Sequence, residues 1–172
     1  MKKEYLEVVN DRDEIVSLKE RAEIHRLNLP HRAVHILIFN AAGELFLQKR
    51  SLAKDRNPGL WDSSAAGHVD IGESYAACAR RELAEELGVA AELAFLFKLE
   101  ARPELGMEFM EIYRGTHNGP FQLAADEIDE GRWFYLSEVD HLTADSQAPL
   151  TLTFKTIWRH YRAGGGDSIQ QP

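Results

Sequence analysis

The stretch Ser74–Leu87 constrains this chain more than any other, because it dictates both a local structure and the direction in which three carboxylates point. It is built of good helix formers, places Ala76, Leu83 and Leu87 on one face, and is followed by Gly88, the residue type that closes helices in the left-handed conformation. Glu82, Glu85 and Glu86 then stand at i, i+3 and i+4, within one sector of a helix that turns about 100° per residue. Like charges at that spacing repel, and Glu85 and Glu86 lie in the last turn, where the helix dipole favours cations. A solvated acidic face tolerates this at a cost of a few tenths of a kcal/mol. A divalent cation compensates it outright, and all-oxygen donors select Mg²⁺ or Mn²⁺ over zinc.

Around this helix, short runs rich in Val, Ile, Leu and Phe recur between turn signals, which predicts a mixed α/β (α+β) fold, a sheet covered by helices. Tyr5–Val9 and Ile15–Leu18 read as a small hairpin, residues 19–27 as a short helix, and Val34–Phe39 with Glu44–Lys49 as a strand pair turned by Asn40-Ala41-Ala42-Gly43. Residues 51–60 form a loop leading to Trp61 and a run of small residues ending at Gly67, which leaves room for a ligand. Strands are expected in 91–100, 107–116 and Gly131–Tyr135, and helices from Ser137 and over Leu150–Tyr161, where Phe154, Ile157, Trp158 and Tyr161 share a face. One domain is expected over 1–163, with 1–30 as an N-terminal extension and 164–172 as a disordered tail. The formal charge of −8 argues against nucleic acid and anionic membrane as partners. A lone cysteine, Cys78, excludes a disulfide framework and is read as packing. The acidic start and the lack of a long apolar run lead us to expect a cytoplasmic chain, while its oligomeric state is not legible.

Residues 67–89, GHVDIGESYAACARRELAEELGV, match G-x5-E-x7-R-E-U-x-E-E-x-G-U, with U a bulky aliphatic, at all nine fixed positions. This resembles the signature box of the Nudix hydrolases. The resemblance implies a Nudix-type mixed sheet sandwiched between helices, and a metal held by Glu82, Glu85 and Glu86 with the Gly67 carbonyl as a further ligand. It also implies that Glu73 and Arg81 brace loop and helix. A second resemblance covers residues ~5–140: the HRAV strand entry, the KRSLAK segment, the PGLW turn and the GH pair are similar to the isopentenyl-diphosphate isomerase branch of that superfamily. In those isomerases a cysteine nucleophile precedes the GH pair; here Ala66 stands there, and the box is complete where theirs tends to be degraded. His31, His68 and Glu111, with His25 slightly out of register, match positions that hold a second metal in the isomerases. Glu108, three residues before Glu111 on a strand, is expected on the opposite face.

Lys49, Arg50, Lys54 and Arg56 gather four bases into eight residues of an acidic chain. Arg50 and Lys54 fall where the isomerases grip a diphosphate, and their donors suit phosphate oxygens, although a solvated loop would look the same. Trp61 and Phe39 are able to stack a base but more often serve a core. The expected activity is metal-dependent hydrolysis of a diphosphate linkage in a nucleoside diphosphate derivative or related small molecule. Glu127, in AADEIDEGRWF, is the first choice for general base, with Glu111 or a box glutamate as runner-up. An isomerase and a nucleotide-sensing module without catalysis are the alternatives.

Overall fold

The computed structural model describes residues 3–165, and the expected tail lies, from 166 on, outside the described residues. The central helix, α2, runs Tyr75–Leu87. Ser74 caps it by accepting a hydrogen bond from Ala77 N–H, and Gly88 ends it at φ 67°. Its apolar face, Cys78, Ala79, Leu83 and Leu87, is buried against Val34, Ile36, Ile38, Phe46, Ala65 and Tyr113 of a sheet. Burying Leu83 and Leu87 is worth about 1.5–3 kcal/mol each, which exceeds the few tenths lost to carboxylate repulsion on the other side. Cys78 thus serves packing.

That sheet has seven strands: β3 (His31–Phe39), β4 (Leu45–Arg50), β5 (Trp61–Asp62), β6 (Ala65–His68), β7 (Ala94–Leu99), β8 (Glu108–Thr116) and β9 (Ile128–Phe134). Its order is β5-β4-β3-β8-β7, with β6 added to β3 and β9 to β4; β3 and β8 are parallel, the other pairs antiparallel. The second face carries Ala33, Leu37, Leu45, Leu47, Met110 and Ile112. It is covered by α3 (Leu136–Ala144) and α4 (Leu152–His160) through Val139, Phe154, Ile157 and Trp158. Trp61 and Phe39 pack here against Phe134 and Tyr161, so both belong to the core.

Strands β3 and β4 pair only at Ile38↔Phe46 and Phe39↔Leu45; farther back β3 turns to β6 and β4 to β5. Ser64 stands in the fork, its hydroxyl accepting from Ile38 N–H at 2.8 Å and donating to the Phe46 carbonyl at 2.5 Å. One side chain therefore satisfies the backbone groups that the parting strands expose. The small residues expected to leave space for a ligand include β6 itself. A strand of sequence AAGH gives no hydrophobic alternation, because α2 packs too closely on it to admit larger side chains.

The N-terminal hairpin, β1 (Tyr5–Val9) and β2 (Ile15–Glu20), precedes α1 (Arg21–Leu27), which starts two residues later than expected because β2 continues to Glu20. Asp13, at φ 60°, accepts from Arg32 Nε, Tyr75 Oη and Lys98 Nζ. Although burial pushes its carboxyl up, these donors hold it below the ordinary aspartate value. Glu7, buried on β1, accepts from Gly72 N–H at 2.9 Å. The hairpin is thereby fastened to the loop that leads into α2 and to the first residue of that helix.

Candidate active site

The fork between β3 and β4 opens into a cavity of about 1230 Å³. One wall is α2: Glu82 and Glu86 are buried, Glu85 stands at the exposed rim, and all three line the space. Gly67 belongs to β6 directly beneath them; a Cβ there would fall 2.0 Å from the Glu82 carboxylate, so any larger residue would displace that carboxylate. Burial first, then the neighbouring Glu82 charge, pushes Glu86 up to about 8, against donation from the Gln48 side-chain amide. Burial likewise raises Glu82 to about 7, opposed by Arg81. Two buried carboxylates with too little positive charge between them are what a divalent cation with oxygen ligands requires. The residues present therefore fit Mg²⁺ or Mn²⁺.

Arg81 organises this wall. Its Nε and Nη2 donate in bidentate fashion to Glu73 at 2.9 and 2.8 Å, its Nη1 to Glu82 at 2.8 Å, and Nη2 also to the His68 carbonyl at 3.0 Å. The Glu73 carboxyl is held low, chiefly by this pairing. Helix, incoming loop and β6 are thus joined through one planar guanidinium.

A second cluster lies across β6. Side chains alternate along a strand, so Gly67 faces α2 while His68 faces the other way. There His25 of α1, His31 of β3, His68 and Glu108 of β8 bring one ligand atom each to within 4.8 Å of one another. His31 and His68 lie 3.5 and 3.3 Å from Glu108 Oε1. The Nε2 atoms of His25 and His31 are buried without a hydrogen-bond partner, a costly arrangement for polar groups unless a ligand completes it. Burial, together with the charges of His68, Arg56, Arg21 and His31, drops His25 to about 3, which leaves its imidazole neutral. Glu108 is held well below the usual carboxylate range by the two histidines despite its burial.

This cluster corrects the expected one. Glu111 is absent from it, because Glu108 and Glu111 point to opposite faces of β8; Glu111 instead accepts from Tyr113 Oη at 2.6 Å. Arg50 and Lys54 both reach the cavity wall, but with partners. Arg50 Nε and Nη2 donate to the Arg56 carbonyl at 3.2 and 2.9 Å, and Lys54 is ion-paired to Glu127, which also lines the cavity.

His35 escaped the sequence reading, and Arg56, named there only within the basic run, was given no role of its own. His35, buried and on the cavity floor opposite Ala66, has its Nδ1 held by Ser63 Oγ at 2.6 Å; burial lowers its pKa and keeps it neutral. Its signal was the period-two series His31, Ala33, His35 on one strand. Arg56 lines the same cavity, and its signal was the basic run 49–56.

Comparison with known proteins agrees with this geometry. The NUDIX domain family profile matches residues 29–154. The chain is 34% identical to an isopentenyl-diphosphate Delta-isomerase of Serratia proteamaculans, over 91% of this chain and 90% of that protein. It is also 34% identical to an uncharacterised Nudix hydrolase of Yersinia pestis, over 87% and 85%. Among solved structures, DR0079 of Deinococcus radiodurans superposes with a TM-score of 0.81 at 26% identity, covering 91% of this chain and 98% of that one. The NUDIX domain of Shewanella oneidensis NrtR, solved with ADP ribose, shares the fold at a TM-score of 0.62 and 20% identity, covering 78% and 87%. Among the described residues no helix is long and apolar enough to cross a membrane. With a complete box on a capped helix against a mixed sheet, and a family match over most of its length, the chain belongs to the Nudix family and is a Nudix hydrolase.

Proposed function

We propose that the chain hydrolyses a diphosphate linkage in a small polar molecule, a nucleoside diphosphate derivative or a related compound, with Mg²⁺ or Mn²⁺ held by Glu82, Glu85, Glu86 and the Gly67 carbonyl. The observation that carries this reading is the pair of buried carboxylates, Glu82 and Glu86, turned into a cavity that Gly67 leaves open. When bound, the cation supplies charge neutralisation for the diphosphate and acidifies water. Arg81 keeps the carboxylates in register from its anchor on Glu73. In this reading Glu127 accepts a proton from water entering the cavity, and Lys54 takes a phosphate oxygen once Glu127 turns to that water; the ion pair between them and their position on the cavity wall support it. Arg50 acts on the loop, fixing residues 50–56 as a rigid rim through the Arg56 carbonyl. The second cluster, His25, His31, His68 and Glu108, has the nitrogen-rich donor set of a transition-metal site, and in our reading Glu108 takes the place expected of Glu111.

The test is a hydrolysis panel of nucleoside di- and triphosphates, dinucleotides, nucleotide sugars and prenyl diphosphates, with Mg²⁺ or Mn²⁺ and with EDTA, the products resolved by anion-exchange chromatography. Cation-dependent cleavage of at least one diphosphate linkage is expected. Conversion of isopentenyl diphosphate to dimethylallyl diphosphate without cleavage of any diphosphate would overturn the hydrolase reading.

A further inference from the structure

Five arginine and lysine side chains line the cavity: Arg21, Arg50, Lys54, Arg56 and Arg81. Four are engaged by carboxylates. Arg21 lies 3.4 Å from Asp55, Arg50 3.8 Å from Asp62, Lys54 against Glu127, and Arg81 2.8 Å from Glu73. Arg56 is half-buried, and among the described residues no carboxylate lies within 4 Å of its guanidinium and no side-chain hydrogen bond is made by it. A planar fork of five donors withdrawn from bulk water without an acceptor is prepared for an anion that arrives from elsewhere.

The position is built rather than incidental. The Arg56 carbonyl is gripped by two nitrogens of Arg50, so the backbone that presents the side chain is fixed. The guanidinium rests on Gly106, which closes the short 3-10 turn Pro103–Leu105 at φ 76°; a Cβ there would fall 2.9 Å from Arg56 Nη1. Gly106 stands two residues before Glu108, so Arg56 lies at the histidine end of the cavity, across β6 from Glu82 and Glu86. Its charge is felt by His25.

We infer that Arg56 is a specificity residue that receives a phosphate group of the substrate separate from the scissile diphosphate, so that the preferred substrates are diphosphate compounds carrying a further phosphate. The inference rests on the hydrolase reading for the word substrate, and on the unpaired guanidinium for the binding. A phosphate fits the fork bidentately, and a diphosphate seated against the α2 carboxylates leaves the Arg56 end of the cavity for whatever the substrate carries beyond it.

The experiment compares ADP-ribose with ADP-ribose 2′-phosphate on wild-type protein, Arg56→Gln and Arg56→Lys, by initial rates with Mn²⁺ and by titration calorimetry in EDTA, where turnover plays no part. Wild-type protein is expected to bind the 2′-phosphate more tightly. Arg56→Gln should raise its KM by about tenfold or more, the cost of a charge-assisted hydrogen-bond pair, with kcat little changed and the KM for ADP-ribose unmoved. Arg56→Lys should recover part of the loss. Equal weakening of both compounds would place the scissile diphosphate itself on Arg56 and overturn the inference, as would equal affinity of wild-type protein for both. Should Arg56→Gln fail to fold by circular dichroism, the contrast between Arg56→Lys and wild type decides. Calorimetry judges Arg56 even when the hydrolysis panel denies turnover, so the two failures are separable.

Discussion

The chemistry of this molecule concentrates in a few atoms whose close contacts leave little room for change. Gly67 is the sharpest case, since any Cβ would occupy the space of the Glu82 carboxylate. Gly67→Ala is therefore expected to displace Glu82 and lower cation-dependent turnover by about 10²-fold, the scale of removing one well-aimed electrostatic contact. Steady-state rates across a Mn²⁺ titration check it; a rate restored at saturating Mn²⁺ would show weakened metal affinity rather than lost alignment. Glu86→Gln preserves shape and the Gln48 contact while removing charge, so turnover should fall by a similar factor of about 10² with the fold intact. Circular dichroism and chromatographic assay of the hydrolysis products together test that; near wild-type rates would remove Glu86 from the site.

Among the elements, the N-terminal hairpin is the unexpected contributor. It lies wholly before the matched family region, which starts at residue 29, yet Asp13 and Glu7 reach the start of α2 and the loop before it. Asp13→Asn should cost about 1.5–3 kcal/mol at pH 7, because Arg32, Tyr75 and Lys98 lose an ionised acceptor. The sign with pH follows from the lowered carboxyl: its stabilisation is full above the unfolded value of about 4 and disappears as pH falls through the lower folded value. Urea unfolding of wild type and Asp13→Asn should thus differ at pH 7, begin to converge below about pH 4 and coincide only once pH has fallen below the lowered folded value. A difference that persists in acid would mean the loss is one of packing. The helix that carries the carboxylates needs no such support, since its cap, its Gly88 terminus and its apolar face agree with one another.

At the scale of the whole molecule, two groups of side chains that could hold a cation share one cavity from opposite faces of β6, so a cation that binds either should stabilise the fold. An excess of Mn²⁺ about a hundredfold over its Kd should raise Tm by roughly 5–10 °C for a domain of this size. Scanning calorimetry with Mn²⁺ and with EDTA measures it; the shift should shrink in Glu86→Gln, and a Zn²⁺-induced shift should shrink in His31→Gln. No change of Tm with any divalent cation would count against both clusters as metal sites. Much of this was legible along the chain. The box, helix α2 and seven of the nine strands follow from short-range signals, periodicity, caps and turn residues within a few positions of one another, whereas β5, β6 and the order of strands in the sheet rest on pairings between distant segments. The choice of Glu108 over Glu111 was within reach of strand alternation, but which face looked into the cavity was not. That depends on α1 bringing His25 across from another part of the chain. Nor could the chain order reveal that Arg50 is spent on the Arg56 carbonyl and Lys54 on Glu127, leaving Arg56 unpaired. A residue's type and spacing are local properties and can be read in one dimension. Which charges find partners, and which are left for a ligand, is decided by distances across the fold, and those exist only once β3 and β4 have parted around Ser64.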